Sequence, residues 1–206
     1  RGAALFDTGF HYVGALEEGE SLHTLFSYFD LMGLPWKKLD EDCFDEVVIG
    51  EDTYAFANKH QRFYERMAAR FPKEREGLKK YVTFLKEVGD HIFGVFKGDE
   101  HKRYTYSLLS RSAYEFLNET IKDPLLRKVL SGTSLKMELN APTLPLYTFA
   151  QINDSFIRSA WRLRGGGSQI ADKLVEGILS MGGEVKTHAA VTYIKEENGK
   201  VVGVTV

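Results

Sequence analysis

Arg164-Gly165-Gly166-Gly167-Ser168, Ile170-Ala171-Asp172-Lys173-Leu174, Gly182-Gly183-Glu184-Val185 and Val191-Thr192-Tyr193-Ile194 follow one another near the end of the chain, and their order decides the fold. The three glycines make a turn. Ser168 is placed to cap a helix running to about residue 181. Ile170, Ala171, Leu174, Val175, Ile178 and Leu179 fall on one face of it, at helical spacing. Gly182 and Gly183 end it. Residues 184–188 and 191–195 then read as strands. Asn198-Gly199 suits a two-residue turn that needs positive φ, and returns the chain into 201–206 as a hairpin. The backbone amides at the start of such a helix can bind an anion. A dinucleotide fingerprint, however, requires a preceding strand and a glycine where Ile170 stands. A capped tight turn is the simpler reading.

Working outward, the chain before this stretch is mainly helical. Residues 5–12 alternate loosely, as a short strand does. Ser21 can cap a helix to about residue 32 whose apolar stripe is Leu22, Leu25, Phe26 and Phe29, stopped by Gly33 and Pro35. Two β-like runs, 46–49 and 53–57, flank Gly50-Glu51-Asp52 as a hairpin. Asn58 can cap a helix to Phe71, broken by Pro72. A longer helix over 73–96 places Leu78, Tyr81, Val82, Leu85, Val88, Ile92 and Phe93 on one face. Further helices are predicted over 112–121, 124–130 and 144–156. The pattern is α+β: a small sheet formed from both ends of the chain, with a helical insertion between. The expected domains are 1–20 with 160–206, and a helical cap over 21–159 carrying the hairpin at 46–57.

Composition narrows the function classes. The 206 residues suffice to bury a sizeable core. The net charge of −2, with acids and bases interspersed, lacks the basic field that nucleic acid requires. No apolar run approaches the length of a membrane span. Cys43 is the only cysteine, which excludes an internal disulfide and makes a reducing, cytoplasmic setting the expectation. The 14 Phe and 10 Tyr are enough to furnish either an ordinary core or the lining of a long apolar pocket.

Familiar catalytic signatures are missing. There is no His-Glu-x-x-His, no paired-cysteine zinc pattern, no Gly-x-Ser-x-Gly elbow and no phosphate loop. The six histidines share no metal-ligand spacing, so no metal is expected. No residue is assigned a catalytic role from the pattern.

Trp161-Arg162-Leu163-Arg164-Gly165-Gly166-Gly167-Ser168 with the helix after it resembles the corresponding segment of the phytoene desaturase-like flavoproteins. That group includes carotenoid desaturases, carotenoid isomerases and retinol saturases, within the wider amine-oxidase-like superfamily. The hairpin Val191–Ile194 with Asn198–Val204 continues the resemblance. So does Phe6-Asp7-Thr8-Gly9-Phe10-His11-Tyr12 at the other end, which is similar to the group's "FDxGxH" segment.

The resemblance implies a partial FAD/NAD(P)-binding-type, Rossmann-like fold and an FAD-dependent oxidoreductase, with NAD(P) as a candidate second cofactor. The implied reaction moves a hydride to or from a C–C or C=C bond of an apolar, polyene-like substrate of carotenoid or retinoid type, by saturation, desaturation or isomerisation. Val191 would lie beside the adenine, and Asp7, Gly9 and His11 beside the flavin. Tyr12, Phe63, Tyr81, Phe84, Phe93, Tyr147 and Phe149 are the implied substrate-side aromatics. The glycine fingerprint at the start and the Gly-Asp segment at the end of the FAD site are both missing from these residues. The chain is therefore read as an internal piece of a larger enzyme, inactive alone and a poor FAD binder. Peripheral membrane contact is expected only for reaching the apolar substrate. Two readings stay open beside it: an amine or amino-acid oxidase, and a non-catalytic lipid- or protein-binding module.

Overall fold

The computed structural model describes residues 9–92, 98–138 and 140–206. Its elements are β1 (Val13–Gly14), α1 (Ser21–Tyr28), β2 (Trp36–Lys38), β3 (Asp45–Ile49), β4 (Asp52–Phe56), α2 (His60–Arg70), α3 (Arg75–Asp90), α4 (Asp99–Leu109), α5 (Ala113–Thr120), α6 (Pro124–Leu130), α7 (Leu146–Arg158), β5 (Ala160–Leu163), α8 (Ser168–Ser180), β6 (Tyr193–Glu197) and β7 (Lys200–Thr205). Short 3-10 turns occur at Pro72–Glu74, Gly132–Lys136 and Ala141–Thr143. The α+β expectation holds at this level. The chain divides into two units, Arg1–Gly167 and Ser168–Val206.

In the first unit, α7 is the central element. It buries Leu146, Phe149, Ala150, Asn153, Asp154, Phe156 and Ile157, a stripe that recurs every three to four residues. α3 lies against it and buries Leu78, Tyr81, Val82, Leu85 and Val88 at the same spacing. α2, α4 and α5 pack on α7 as well. Phe63, Tyr81, Phe116 and Phe149 join these helices through ring contacts, with the Phe63–Tyr81, Tyr81–Phe116 and Tyr81–Phe149 centroids all 6.4 Å apart.

Several buried polar groups are paired across elements. Asp154, only 1% exposed, bonds His60 Nε2 at 2.6 Å and Arg158 Nε at 2.5 Å. Arg158 also reaches Asp90 at 2.6 Å, so one cluster ties α2, α3 and α7 together. Gly89 leaves room for it: a Cβ there would lie 1.7 Å from Asp154 Oδ2. Glu74 accepts from the backbone amides of Lys122 (3.1 Å) and Asp123 (2.6 Å), fastening the start of α3 to the α5–α6 turn.

A three-stranded antiparallel sheet, in the order β1-β5-β2, closes one side of this unit. Val13 pairs with Trp161 and Gly14 with Ala160. Trp36–Lys38 pairs on the other edge of β5. The hairpin of β3 and β4 has the expected turn at Gly50 (φ +64°).

The second unit is α8 followed by the antiparallel hairpin of β6 and β7, with Asn198 at φ +53° and Gly199 at +75° in the turn. Residues 184–188 form no strand, because a strand requires a ladder partner and none of the described residues supplies one. The apolar face of α8 is not sealed: Leu174 is 36%, Ile178 38% and Leu179 55% exposed.

Several boundaries differ from the sequence reading, for local reasons. Glu20, not Ser21, occupies the N-cap of α1. Lys59, at φ +69°, occupies that of α2. Asn58 is instead buried, with its amide donating to the Phe156 carbonyl at 2.7 Å. The helix predicted over 73–96 begins as a 3-10 turn at Pro72 and is α-helical over Arg75–Asp90; residues 93–97 lie outside the described residues. α4, β2 and β5 were not expected. Residues 9–12 are not strand, and β1 begins only at Val13.

Candidate functional site

The β1–α1 connection is held against α7 by backbone bonds. Ala15, at φ +55°, donates its amide to Ser155 O at 2.9 Å and to Ser159 O at 3.2 Å. The Leu16 amide donates to Ser159 Oγ at 3.1 Å, and Ser159 Oγ donates to Glu20 at 2.5 Å. Gly14 permits the approach: a Cβ on it would lie 2.2 Å from the carbonyl carbon of Ser155.

Between these elements lies a cavity of about 440 Å³. Tyr12, Val13, Gly14 and Ala15 form one wall, and Ser21, Leu22 and Leu25 of α1 another. Gln151, Ile152, Ser155 and Phe156 of α7 form the floor, and Gly9, His11, Ile92 and Lys136 complete the lining. The size and apolar character suit a small organic ligand.

Polar groups gather at one point of this lining. Lys136 Nζ lies 2.5 Å from Tyr12 Oη and 2.7 Å from Asp45 Oδ2, and Tyr12 Oη donates to Asp45 Oδ2 at 2.5 Å. The ammonium also sits 4.0 Å from the centre of the Tyr12 ring and 5.4 Å from that of Phe156. Burial first, then the hydrogen bond to Asp45, pushes the Tyr12 phenol far above its usual range. Burial raises the Asp45 carboxyl as well, but the bonds from Lys136 and Tyr12 outweigh it and hold the group below the ordinary carboxylate value. Lys136 is the only lysine, arginine, aspartate or glutamate among the described lining residues. Gln151 and Ser155 donate to the backbone carbonyls of Val88 (2.5 Å) and Ile152 (2.8 Å).

Of the residues singled out in the sequence, Gly9, His11 and Tyr12 line the cavity. Asp7 and Phe93 lie outside the described residues. Phe63, Tyr81 and Phe149 are fully buried core side chains and do not line this cavity. Phe84 meets Phe116 in a tilted ring contact with centroids 4.4 Å apart, and Tyr147 is partly buried against the same core. Val191 is 55% exposed in the second unit, two residues before β6. Lys136, Asp45 and Phe156 were missed. Lys136 and Tyr12 are 124 positions apart, and no local motif links them.

An FAD requires a cradle of amides or cations for its pyrophosphate. Lys136, the one lysine or arginine among the described lining residues, is already paired with Asp45. The described lining of this cavity does not fit a whole FAD. Among them there is also no group of three potential metal ligands, and no helix long and apolar enough to cross a membrane.

No family model matches the chain. It is similar to the all-trans-retinol 13,14-reductase of Danio rerio, at 29% identity over 98% of this chain and 36% of that protein. The all-trans-retinol 13,14-reductases of Macaca fascicularis and Homo sapiens are each 25% identical over the same shares. The chain spans about a third of the length of these curated relatives.

Proposed function

We propose that this chain is the substrate-side portion of a retinol saturase-like FAD-dependent oxidoreductase that reduces a C=C bond of an apolar polyene alcohol. The observation that carries the reading is the mainly apolar cavity between β1, α1 and α7, in which Lys136 is the one lysine, arginine, aspartate or glutamate of the described lining. Similarity to retinol reductases along 98% of the chain supports it and supplies the substrate class.

In this reading the flavin, when bound, supplies the two-electron chemistry. The residues here do the rest of the work that a dry pocket requires. Leu22, Leu25, Ile152 and Phe156 take the hydrocarbon body and keep water from it. Gly9 and His11 form the part of the lining nearest the start of the chain, where the flavin side is proposed. Val191 is the proposed adenine contact. An amine oxidase is less well supported, because the described lining offers no acidic side chain for an ammonium substrate.

The test is binding of all-trans-retinol by the full chain. Trp36 and Trp161, the only tryptophans, both lie in the β1-β5-β2 sheet of the cavity's unit, so energy transfer from them to retinol reports occupancy. Saturable transfer at micromolar retinol is expected. A folded chain showing no saturable transfer refutes the reading.

A further inference from the structure

The polar corner of the cavity has a chemistry that its apolar walls do not explain. A lysine ammonium has three N–H donors. Two of those of Lys136 are taken by Tyr12 Oη and Asp45 Oδ2. No described residue takes the third, and Lys136 lines the cavity while Asp45 does not. The corner is also electrically balanced, because one ammonium faces one carboxylate at 2.7 Å.

We propose that Lys136 is the residue that grips the polar end of the ligand, and that Asp45 sets which polar end it accepts. This rests on the reading of the cavity as a polyene-alcohol site and assigns the residues that make it selective. The third N–H of Lys136 donates to a ligand hydroxyl oxygen. Tyr12 holds the ammonium over its ring face and cannot offer its own proton, which is committed to Asp45. A ligand carboxylate meets a different balance. Its attraction to Lys136 is offset by repulsion from Asp45 a few ångströms behind, and it loses its hydration on entering an apolar cavity. A neutral hydroxyl has no such penalty. The charge pair thus favours an alcohol over the acid of the same carbon skeleton, and the alcohol over the bare hydrocarbon.

Asp45→Asn removes the balancing charge and keeps the shape. Lys136→Met removes the donor and keeps the aliphatic stem. Binding to the full chain is measured by tryptophan energy transfer with three probes: all-trans-retinol, all-trans-retinoic acid and the corresponding hydrocarbon without the hydroxyl. In Asp45→Asn the ratio of acid to alcohol affinity is expected to rise about tenfold or more, the size of one close charge interaction. In Lys136→Met the alcohol is expected to lose about fivefold to tenfold while the hydrocarbon is unchanged. An unchanged acid-to-alcohol ratio in a folded Asp45→Asn chain overturns the proposal and leaves the binding site standing. Equal weakening of alcohol and hydrocarbon in Lys136→Met does the same, and that variant decides the matter if Asp45→Asn does not fold. If the unaltered chain binds none of the three, the polyene-alcohol reading itself is wrong and the anchor falls with it.

Discussion

Gly14→Ala isolates the contact on which the cavity depends. The added Cβ would stand 2.2 Å from the carbonyl carbon of Ser155, 2.4 Å from its oxygen and 2.5 Å from the Phe156 nitrogen. All three are backbone atoms inside α7, so no side chain can rotate away. Restoring ordinary contact means moving β1 off the helix by roughly 1.3 Å. That shift also strains the two hydrogen bonds that the Ala15 amide makes to Ser155 and Ser159. Overpacking of this kind costs about 1–3 kcal/mol, and a weakened backbone bond about 1 more. A loss of about 2–4 kcal/mol is therefore expected, which lowers the urea midpoint by roughly 1–2 M for a domain of this size. Tryptophan fluorescence is the probe, since both tryptophans report the first unit alone. Gly33→Ala is the control: a Cβ there meets nothing within 4 Å, and its stability should stay within about 0.5 kcal/mol of the parent. Retinol affinity should fall in Gly14→Ala and not in Gly33→Ala. If Gly14→Ala unfolds at the parent's urea midpoint and binds as well, β1 does not approach α7 this closely.

Three further outcomes are expected. Asp154→Ala removes the carboxylate that pairs with His60 and Arg158 and should cost about 3–5 kcal/mol in the same urea titration, because Arg158 loses the buried half of its pairing; a loss below about 1 kcal/mol would show that solvent compensates the cluster. Asp45 is held below the usual carboxylate value, so its contribution is fully present above the unfolded value of about 3.9 and is lost as pH falls through the lower folded value. Retinol binding should therefore be flat from about pH 5 to 8 and decline only at more acid pH, where the chain remains folded by circular dichroism; a midpoint above about pH 5 contradicts the assigned pair. Finally, the chain mixed with FAD at micromolar concentration should remain colourless after desalting, because its described residues offer no pyrophosphate cradle; a stoichiometric yellow complex refutes that.

The parts of the fold that were legible in the sequence are those decided locally. The α8 turn-helix-stop, the Asn198-Gly199 hairpin, the Gly50 hairpin and the α6 start, where Pro124 follows the capping Asp123, each follow from neighbouring residues whose preferences agree. The elements that were missed are set by contacts far apart in the chain. β2 and β5 are three and four residues long, and they are strands only because Trp36 meets Leu163 and Gly14 meets Ala160. Asn58 reads as a helix cap but is drawn into the core by a carbonyl 98 positions away. The aromatics show the same limit. Phe63, Tyr81 and Phe149 have the composition of a ligand lining, yet they meet each other rather than the cavity.

The cavity makes the same point about function. Gly9, His11 and Tyr12, singled out through the family resemblance, do line the cavity, though in what role is a proposal. The cavity's selectivity was not legible, because the charge pair that sets it joins Asp45, at the start of a hairpin strand, to Lys136, at the end of a 3-10 turn. Neither residue is unusual where it stands. Each is an acid or base on a partly exposed surface, and only the fold places both on the hydroxyl of Tyr12. A surface ion pair of this exposure would ordinarily contribute little to stability. Its position at the charged corner of a mainly apolar described lining is what gives it a role in recognition, since there its net charge decides which ligand can be desolvated beside it.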